Sequence, residues 1–221
     1  MGICYLVCPC KMERAKIKLA DGDYVIAVDD GYSQLDKYGI KADIAVGDFD
    51  SLGYVPQDCP TLVHPVRKDD TDTFLAFRHA YEKGYRTFVI LGGSGGERAD
   101  HTLANISLLI RMAKSGARGY LVGERHAFTV IKNSDIRFSK KESGNISVFS
   151  CLPVSFGVSE SGLSYTVSDG RLFNDFPIGV SNSFVGECAR ISVKDGELLI
   201  YWQTDVEKLI ETVKENEKKK Y

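Results

Sequence analysis

The chain has 221 residues, a formal net charge of −2, 43% hydrophobic residues and 26% charged residues. This length supports one large or two modest domains with a hydrophobic core, and the balanced charge gives no sign of a nucleic-acid partner. The apolar runs are far shorter than the roughly 20 residues that a membrane helix needs, and the N-terminus lacks the pattern of a signal peptide. We therefore expect a cytoplasmic protein that binds neither nucleic acid nor membranes.

The chain contains six cysteines. In a reducing compartment cysteines are more often buried small hydrophobic side chains than disulfide partners, and we predict this role here. Three of them form a CxxxCxC pattern, which lacks the second CxxC or the His pair that would complete a tetrahedral zinc site. The six are Cys4, Cys8, Cys10, Cys59, Cys151 and Cys188.

Short β-rich runs alternate with amphipathic helical patterns through the first two thirds of the chain. This alternation is typical of an α/β fold in which helices flank a mostly parallel sheet. Apolar residues at helical spacing, such as Leu103, Ile106 and Leu109, are expected on buried helix faces. The patterns predict strands at 4–8, 24–28, 44–46, 62–66, 88–91 and 119–122, and helices at 71–83 and 101–114.

Beyond about residue 124 the pattern changes to short alternating strands separated by Gly, Ser, Asn and Asp. This change indicates an all-β, sandwich-like region. Asp195-Gly196 lies between two such runs and predicts a two-residue hairpin turn, and a last helical pattern covers 205–219. We therefore expect an α/β domain at 1–130 and a C-terminal β-rich domain at 131–221.

The segment Gly47-Asp48-Phe49-Asp50-Ser51 directly follows the third predicted strand. If the backbone stays extended, Asp48 and Asp50 point to one side, because side chains of a strand alternate with a period of two. Two carboxylates this close repel each other unless a cation lies between them, and Mg²⁺ prefers such oxygen ligands. The alternative is an acidic turn in which Asp50 or Ser51 caps the following segment.

Two further acidic groups follow predicted strands. Asp69-Asp70-Thr71-Asp72 precedes a helix, so Asp69 as N-cap and Asp72 beside the positive helix end offer a purely structural alternative. Asp29-Asp30-Gly31 forms a turn after the second strand. Since the carboxyl ends of parallel strands meet at one edge of a sheet, all three groups are expected at the same edge, where α/β proteins bind ligands.

A glycine-rich turn joins the strand at 88–91 to the helix at 101–114. Glycines allow backbone N–H groups to approach an anion closely, and the planar Arg98 guanidinium suits phosphate oxygens. The turn is neither a Walker loop nor a GxGxxG dinucleotide motif. It predicts a phosphate site formed by Gly92, Gly93, Ser94, Gly95 and Arg98. With the acidic groups, it indicates a magnesium-dependent enzyme that transfers a phosphate-containing group from a nucleotide.

Taken in order, these motifs resemble those of the thiamin pyrophosphokinase family. The resemblance also includes Gly179-Val180-Ser181-Asn182-Ser183 and covers nearly the whole chain. It implies that residues 1–130 are the catalytic domain that binds ATP and Mg²⁺. It further implies that residues 131–221 contribute the thiamin site and the contacts of a homodimer. The implied reaction transfers the pyrophosphoryl group of ATP to the hydroxyl of thiamin and leaves AMP.

Carried over to this sequence, the resemblance assigns a role to each candidate residue. Asp48, Asp50 and Asp72 become magnesium ligands, with Asp72 also near the phosphates. Asp100 orients the thiamin hydroxyl or takes its proton, and Arg98 binds the phosphate chain. Asp29, Asp30 and Asp69 line the substrate site, although the family's Asp-Gly-Gly reads Asp29-Asp30-Gly31 here, so the role of Asp30 stays open.

The resemblance assigns Ser181 and Asn182 to polar contacts with thiamin. The structural alternative is a loop whose side chains bond their own backbone. Two other functions fit the same residues: a magnesium-dependent hydrolase of nucleotides or phosphate esters, since water can replace the alcohol, and a non-catalytic sensor of nucleotide or thiamin.

Overall fold

The computed structural model describes residues 2–10, 17–65 and 69–218. Most of residues 2–108, with 116–124, form a first compact unit, whereas residues 109–115 and 125–218 belong to a second. All six cysteines are free thiols. Cys4 and Cys8 are buried as predicted, whereas Cys188 is exposed.

The first unit contains six parallel strands in the order β6-β5-β1-β2-β3-β4. Their central members are buried on both faces because helices cover parallel sheets on both sides, which explains their continuous apolar sequences. The predicted strand at 62–66 is shorter and begins one residue earlier, and Val66 lies outside the described residues. The strands are β1 (Cys4–Val7), β2 (Tyr24–Val28), β3 (Ile44–Gly47), β4 (Thr61–Val63), β5 (Thr87–Leu91) and β6 (Arg118–Val122).

Three helices connect these strands: α1 (Gly31–Lys37), α2 (Asp72–Glu82) and α3 (Ala99–Lys114). Thr71, not Asp69, is the N-cap of α2, and its hydroxyl accepts a hydrogen bond from the N–H of Phe74 at 3.2 Å. The short helix α1 was not predicted from the sequence.

The buried face of α3 differs from the predicted one. Leu103 is 65% exposed, whereas Asn105, Leu108 and Met112 are buried together with Leu109. These four follow the i, i+3, i+4, i+7 spacing of one helix face. The search for apolar residues at helical spacing missed this face, because the first residue of the face is Asn105.

The second unit contains two antiparallel sheets. The rings of Phe138 and Trp202, which belong to different sheets, pack edge to face with centroids 5.4 Å apart, so Trp202 is a core residue. The fold class predicted from the sequence is confirmed. One sheet has the order β12-β9-β14-β7 and the other β11-β10-β13-β8. The strands are β7 (His126–Lys132), β8 (Asp135–Phe138), β9 (Asn145–Ser150), β10 (Val154–Ser161), β11 (Val167–Phe173), β12 (Asn182–Ser183), β13 (Ala189–Ser192) and β14 (Glu197–Gln203).

The prediction of a hairpin at Asp195-Gly196 is wrong. The strands before and after it, β13 and β14, pair in different sheets. The N–H of Asp195 donates to the carbonyl of Phe156 at 3.2 Å, and the N–H of Gly196 donates to Asn133 Oδ1 at 2.8 Å. These contacts with other segments carry the chain from one sheet to the other.

The chain ends in α4 (Val206–Lys218), close to the predicted 205–219, of which Lys219 lies outside the described residues. Thr212 of α4 donates a hydrogen bond of 2.8 Å to the buried Glu142. None of the helices in the described ranges combines the length and the apolar character that crossing a membrane requires.

Candidate active site

The carboxyl end of β1 lies at a switch point of the parallel sheet. Strand β1 pairs with β2 on one side and with β5 on the other, and ligands of open α/β sheets bind outside the strand ends at such a point. The N–H of Cys8 donates to the carbonyl of Leu91 at 2.8 Å. A Cβ on Gly31 would lie 1.8 Å from the carbonyl oxygen of Val7. The segments that follow β1, β2 and β5 are therefore adjacent.

Three aspartates from this edge converge. One carboxylate oxygen each of Asp29, Asp48 and Asp50 lies within 4.8 Å of the other two. The close approach of the two segments depends on Gly47, since a Cβ there would lie 3.1 Å from the Cα of Asp29. Among the described residues this group does not include Asp72 or Asp100.

The backbone conformation that brings Asp48 and Asp50 together differs from the predicted one. Strand β3 ends at Gly47, and Phe49 has a φ of 58°, in the left-handed region that bulky residues rarely adopt. The Phe49 side chain is buried, and the N–H of Asp50 donates to Asp48 Oδ1 at 3.3 Å. A turn around a buried side chain, not an extended strand, therefore brings the two carboxylates to one side.

Asp29 carries the electrostatic signature of a cation site. Its Oδ1 atom is buried and has no hydrogen-bond partner among the described residues. Burial raises the pKa of the Asp29 carboxyl, and the charges of Asp48 and Asp50 raise it further. Hydrogen bonds from Ser51 and from the N–H of Asp30 act in the opposite direction.

An unpaired buried carboxylate oxygen beside two like charges costs free energy unless a cation is bound. Three carboxylates with hard oxygen donors fit Mg²⁺. The residues present therefore fit the predicted metal, with Asp29 as a third candidate ligand in addition to Asp48 and Asp50.

The other predicted acidic residues occupy different places. Asp72 begins α2 and contributes to the electrostatics of Cys8, whose pKa is raised to about 12, mainly by burial. Cys8 Sγ lies 3.7 Å from the hydroxyl oxygen of Thr73, the residue after Asp72, so the start of α2 lies near the carboxyl end of β1. Asp30 accepts a hydrogen bond from the hydroxyl of Ser33, and Asp69 is an exposed residue before α2.

The glycine-rich turn follows β5 on the other side of β1. Gly92 has a φ of 64°, and a Cβ there would lie 2.4 Å from the carbonyl oxygen of Cys10, so only glycine fits. Ser94 is buried, whereas Gly95 is exposed. The turn therefore lies against the segment that follows β1, with its later residues open to solvent.

Arg98 and Asp100 form an ion pair at the start of α3. Arg98 Nε and Nη2 donate to the two carboxylate oxygens of Asp100 at 2.9 and 2.7 Å. Both side chains are exposed. The hydrogen bond from Arg98 is the main cause that lowers the pKa of Asp100 to about 2.

The two predicted thiamin contacts lie in the second unit and differ from each other. Ser181 is exposed and has a φ of 63°. Asn182 is buried, and its Nδ2 atom donates to the carbonyl of Tyr165 at 2.7 Å and to Glu160 Oε2 at 3.1 Å. These partners lie 17 and 22 residues earlier in the chain, so they are not the local bonds of the structural alternative. One local bond is present, because Asn182 Oδ1 accepts a hydrogen bond of 2.9 Å from the N–H of Ser183.

We expect Glu160→Gln to raise the melting temperature at pH 8 by about 2–4 °C. Burial raises the pKa of Glu160 above its ordinary value. The stability that its protonated form provides is present at low pH and is lost as pH rises through the raised pKa. A neutral amide avoids this loss and still accepts the hydrogen bond from Asn182. Thermal unfolding at pH 4 and pH 8 measures the effect, which should nearly vanish at pH 4.

Glu211→Gln is the matched control for this prediction, because Glu211 is exposed and paired with Lys141. A melting temperature of Glu160→Gln that is unchanged or lower at pH 8 would contradict a buried charge that destabilises the fold.

Sequence reasoning gave Ser51 a role only as an alternative cap, and it missed two further polar residues at this edge. The hydroxyl oxygen of Ser51 lies 3.1 Å from Asp50 Oδ1, whereas Thr102 and Asn105 contact the glycine-rich turn. Asn105 had a usable signal, because it is the polar member of an otherwise apolar helix face.

The carboxylates fit a divalent cation, and they lie at the same sheet edge as a glycine-rich turn. This combination at the switch point of an α/β sheet is typical of a phosphoryl-transfer site. Comparison with known proteins shows which family within this class the chain belongs to. Residues 16–121 match the family model of thiamin pyrophosphokinase, catalytic domain. The chain is 30% identical to thiamine pyrophosphokinase of Bacillus subtilis over 189 residues, which are 81% of this chain and 87% of that protein. The chain therefore belongs to the thiamin pyrophosphokinase family.

Solved structures support the fold. A thiamine pyrophosphokinase from Bacillus subtilis superposes with a TM-score of 0.80 at 23% identity, covering 92% of this chain and all of the other. A thiamin pyrophosphokinase family protein from Enterococcus faecalis gives a TM-score of 0.78 at 24% identity, covering 92% and 99%.

Proposed function

We propose that this chain transfers the pyrophosphoryl group of ATP to the hydroxyl of thiamin, with thiamin diphosphate and AMP as products. The observation that carries the proposal is family membership combined with the convergence of Asp29, Asp48 and Asp50 beside the glycine-rich turn. Family membership favours this reaction over the hydrolase and the sensor that the sequence also allowed.

Asp29, Asp48 and Asp50 hold Mg²⁺ in this proposal, and Asp72 lies nearby at the start of α2. A bound divalent cation supplies charge neutralisation at phosphate oxygens. The glycine-rich turn, with Gly92, Gly93, Ser94 and Gly95, approaches the phosphates with its backbone. Phosphoryl transfer depends mainly on positioning and charge, so no protein nucleophile is needed.

Arg98 and Asp100 act on opposite partners of the reaction. Arg98 binds the phosphate chain through its planar guanidinium, and Asp100 orients the thiamin hydroxyl or takes its proton. Their mutual ion pair holds both side chains together at the start of α3.

We also propose a homodimer whose β-rich part, residues 131–221, contributes the thiamin site with Ser181 and Asn182. Large exposed apolar side chains are a feature of interaction surfaces, and six occur between residues 165 and 185. Light scattering at assay concentration should give twice the mass of one chain, and the mass of a single chain would contradict the dimer. The six are Tyr165, Phe173, Phe176, Ile178, Val180 and Val185.

Product analysis tests the reaction. Incubation with ATP, magnesium and thiamin should give thiamin diphosphate and AMP in equal amounts by mass spectrometry. ADP as the sole nucleotide product would contradict pyrophosphoryl transfer. Nucleotide turnover that ignores thiamin would favour the hydrolase, and tight binding without turnover would favour the sensor.

A further inference from the structure

Helix α3 holds the glycine-rich turn through two side chains on one of its faces. Asn105 Nδ2 donates a buried hydrogen bond of 2.7 Å to the carbonyl of Gly93. One helical turn earlier, Thr102 Oγ1 accepts a hydrogen bond of 3.3 Å from the N–H of Gly95. Residues three apart share a helix face, so these contacts fix two successive parts of the turn to the same helix.

The contact with Asn105 leaves little freedom to the turn. A Cβ on Gly93 would lie 3.0 Å from Asn105 Nδ2, 2.7 Å from Ile90 Cγ2 and 2.8 Å from Leu121 Cδ1. Side chains thus enclose the backbone of Gly93, and its carbonyl accepts a hydrogen bond from the buried amide of Asn105. A buried carbonyl that loses its donor is destabilised, so the turn would move to regain a partner.

We propose that Asn105 is a positioning residue for ATP, which acts by holding the glycine-rich turn in the conformation that receives the phosphates. This inference rests on the proposed function of that turn as the phosphate site. Asn105 itself is buried beneath the turn and acts through Gly93, without touching substrate.

Asn105→Leu tests the proposal, since leucine has a similar size but cannot donate a hydrogen bond. We expect KM for ATP to rise about tenfold, which corresponds to the loss of one hydrogen bond from the bound state. The values of kcat and of KM for thiamin should change less than about threefold, because the carboxylates and the thiamin site keep their places. Steady-state kinetics and melting temperature are measured together.

Asn216→Leu is the matched control. Asn216 is a buried asparagine of the second unit, and its Nδ2 atom donates to the carbonyls of Arg137 and Thr212, each at 2.8 Å. Its loss should lower the melting temperature without raising KM for ATP. If Asn105→Leu lowers the melting temperature but leaves KM for ATP unchanged, the role of Asn105 is purely structural and the proposal is overturned.

Asn105→Asp provides a second readout and keeps the test decisive if Asn105→Leu does not fold. An ionised carboxylate cannot donate to Gly93, whereas a protonated one can. The ratio of KM for ATP between Asn105→Asp and the unchanged protein should therefore fall as the pH is lowered. A ratio near one at every pH would overturn the proposal.

Gly95→Ala separates this inference from the proposed function. Gly95 has a φ of 94° and open space around it, so alanine would strain the turn without a clash. If Gly95→Ala raises KM for ATP while both Asn105 variants do not, only the inference about Asn105 fails. If Gly95→Ala and both Asn105 variants all leave KM for ATP unchanged, the turn is not the phosphate site, and both fail.

Discussion

Asp48→Asn is expected to lower kcat/KM for ATP by about a hundredfold or more, because a bound cation contributes several kcal/mol of charge stabilisation and each 1.36 kcal/mol is a factor of ten. Asn keeps the size of the side chain but removes one of the three negative charges that converge near the end of β1. The same result is expected for Asp50→Asn. Activity measured across a range of magnesium concentrations checks the prediction.

The fold should survive these substitutions and should become more stable in the absence of magnesium. Removing one carboxylate relieves its repulsion with Asp29, whose pKa the neighbouring charges raise in addition to burial. Asp36→Asn, an exposed residue of α1, is the control and should change neither activity nor melting temperature. Full activity of both site variants at limiting magnesium would contradict the metal assignment.

Asp100→Asn should lower kcat by about a hundredfold to ten-thousandfold if Asp100 takes the proton of the thiamin hydroxyl. The amide can still accept a hydrogen bond from Arg98 but cannot act as a base. Because the pKa of Asp100 is about 2, the activity of the unchanged protein should show no loss attributable to this carboxylate between pH 5 and 8. Single-turnover measurements with enzyme in excess over thiamin and with saturating ATP isolate the step.

A double-mutant cycle separates catalysis from the ion pair. Arg98→Ala alone should raise KM for ATP, and the kcat defect of Asp100→Asn should persist when Arg98 is also replaced. Glu211→Gln, which breaks the exposed pair with Lys141, is the control and should leave kinetics unchanged. If Asp100→Asn loses no activity, Asp100 serves only to hold Arg98.

Most of the first unit could be predicted from the sequence, because strands that are buried on both faces have continuous apolar sequences. The edge that carries the site followed from the parallel arrangement and three acidic groups. The turn at Phe49 could not be predicted, since the pattern of alternation assumes an extended backbone. The sequence also left open whether Asp29 or Asp30 faces the other aspartates, because it did not show the left-handed backbone of Asp29, whose φ is 49°.

The second unit was less predictable. The residues Asp195-Gly196 are typical of a hairpin, but sequence alone does not tell whether two strands pair with each other or with different sheets. The internal hydrogen bonds of Asn182 also depend on Glu160 and Tyr165, which come from a distant part of the sequence. The division into residues 1–130 and 131–221 and the roles of the individual site residues stay predictions, as do cytoplasmic location and the absence of nucleic-acid binding.

The left-handed backbone at Phe49 links the interior of the protein to the spacing of the candidate metal ligands. The aromatic ring is anchored in the core, and its two neighbours in the chain are the aspartates. A change in the packing around this ring would therefore alter the spacing of the carboxylates without touching any ligand. If the carboxylates hold Mg²⁺ as proposed, substitutions in the core around Phe49 would change the affinity for the cation while every carboxylate is kept.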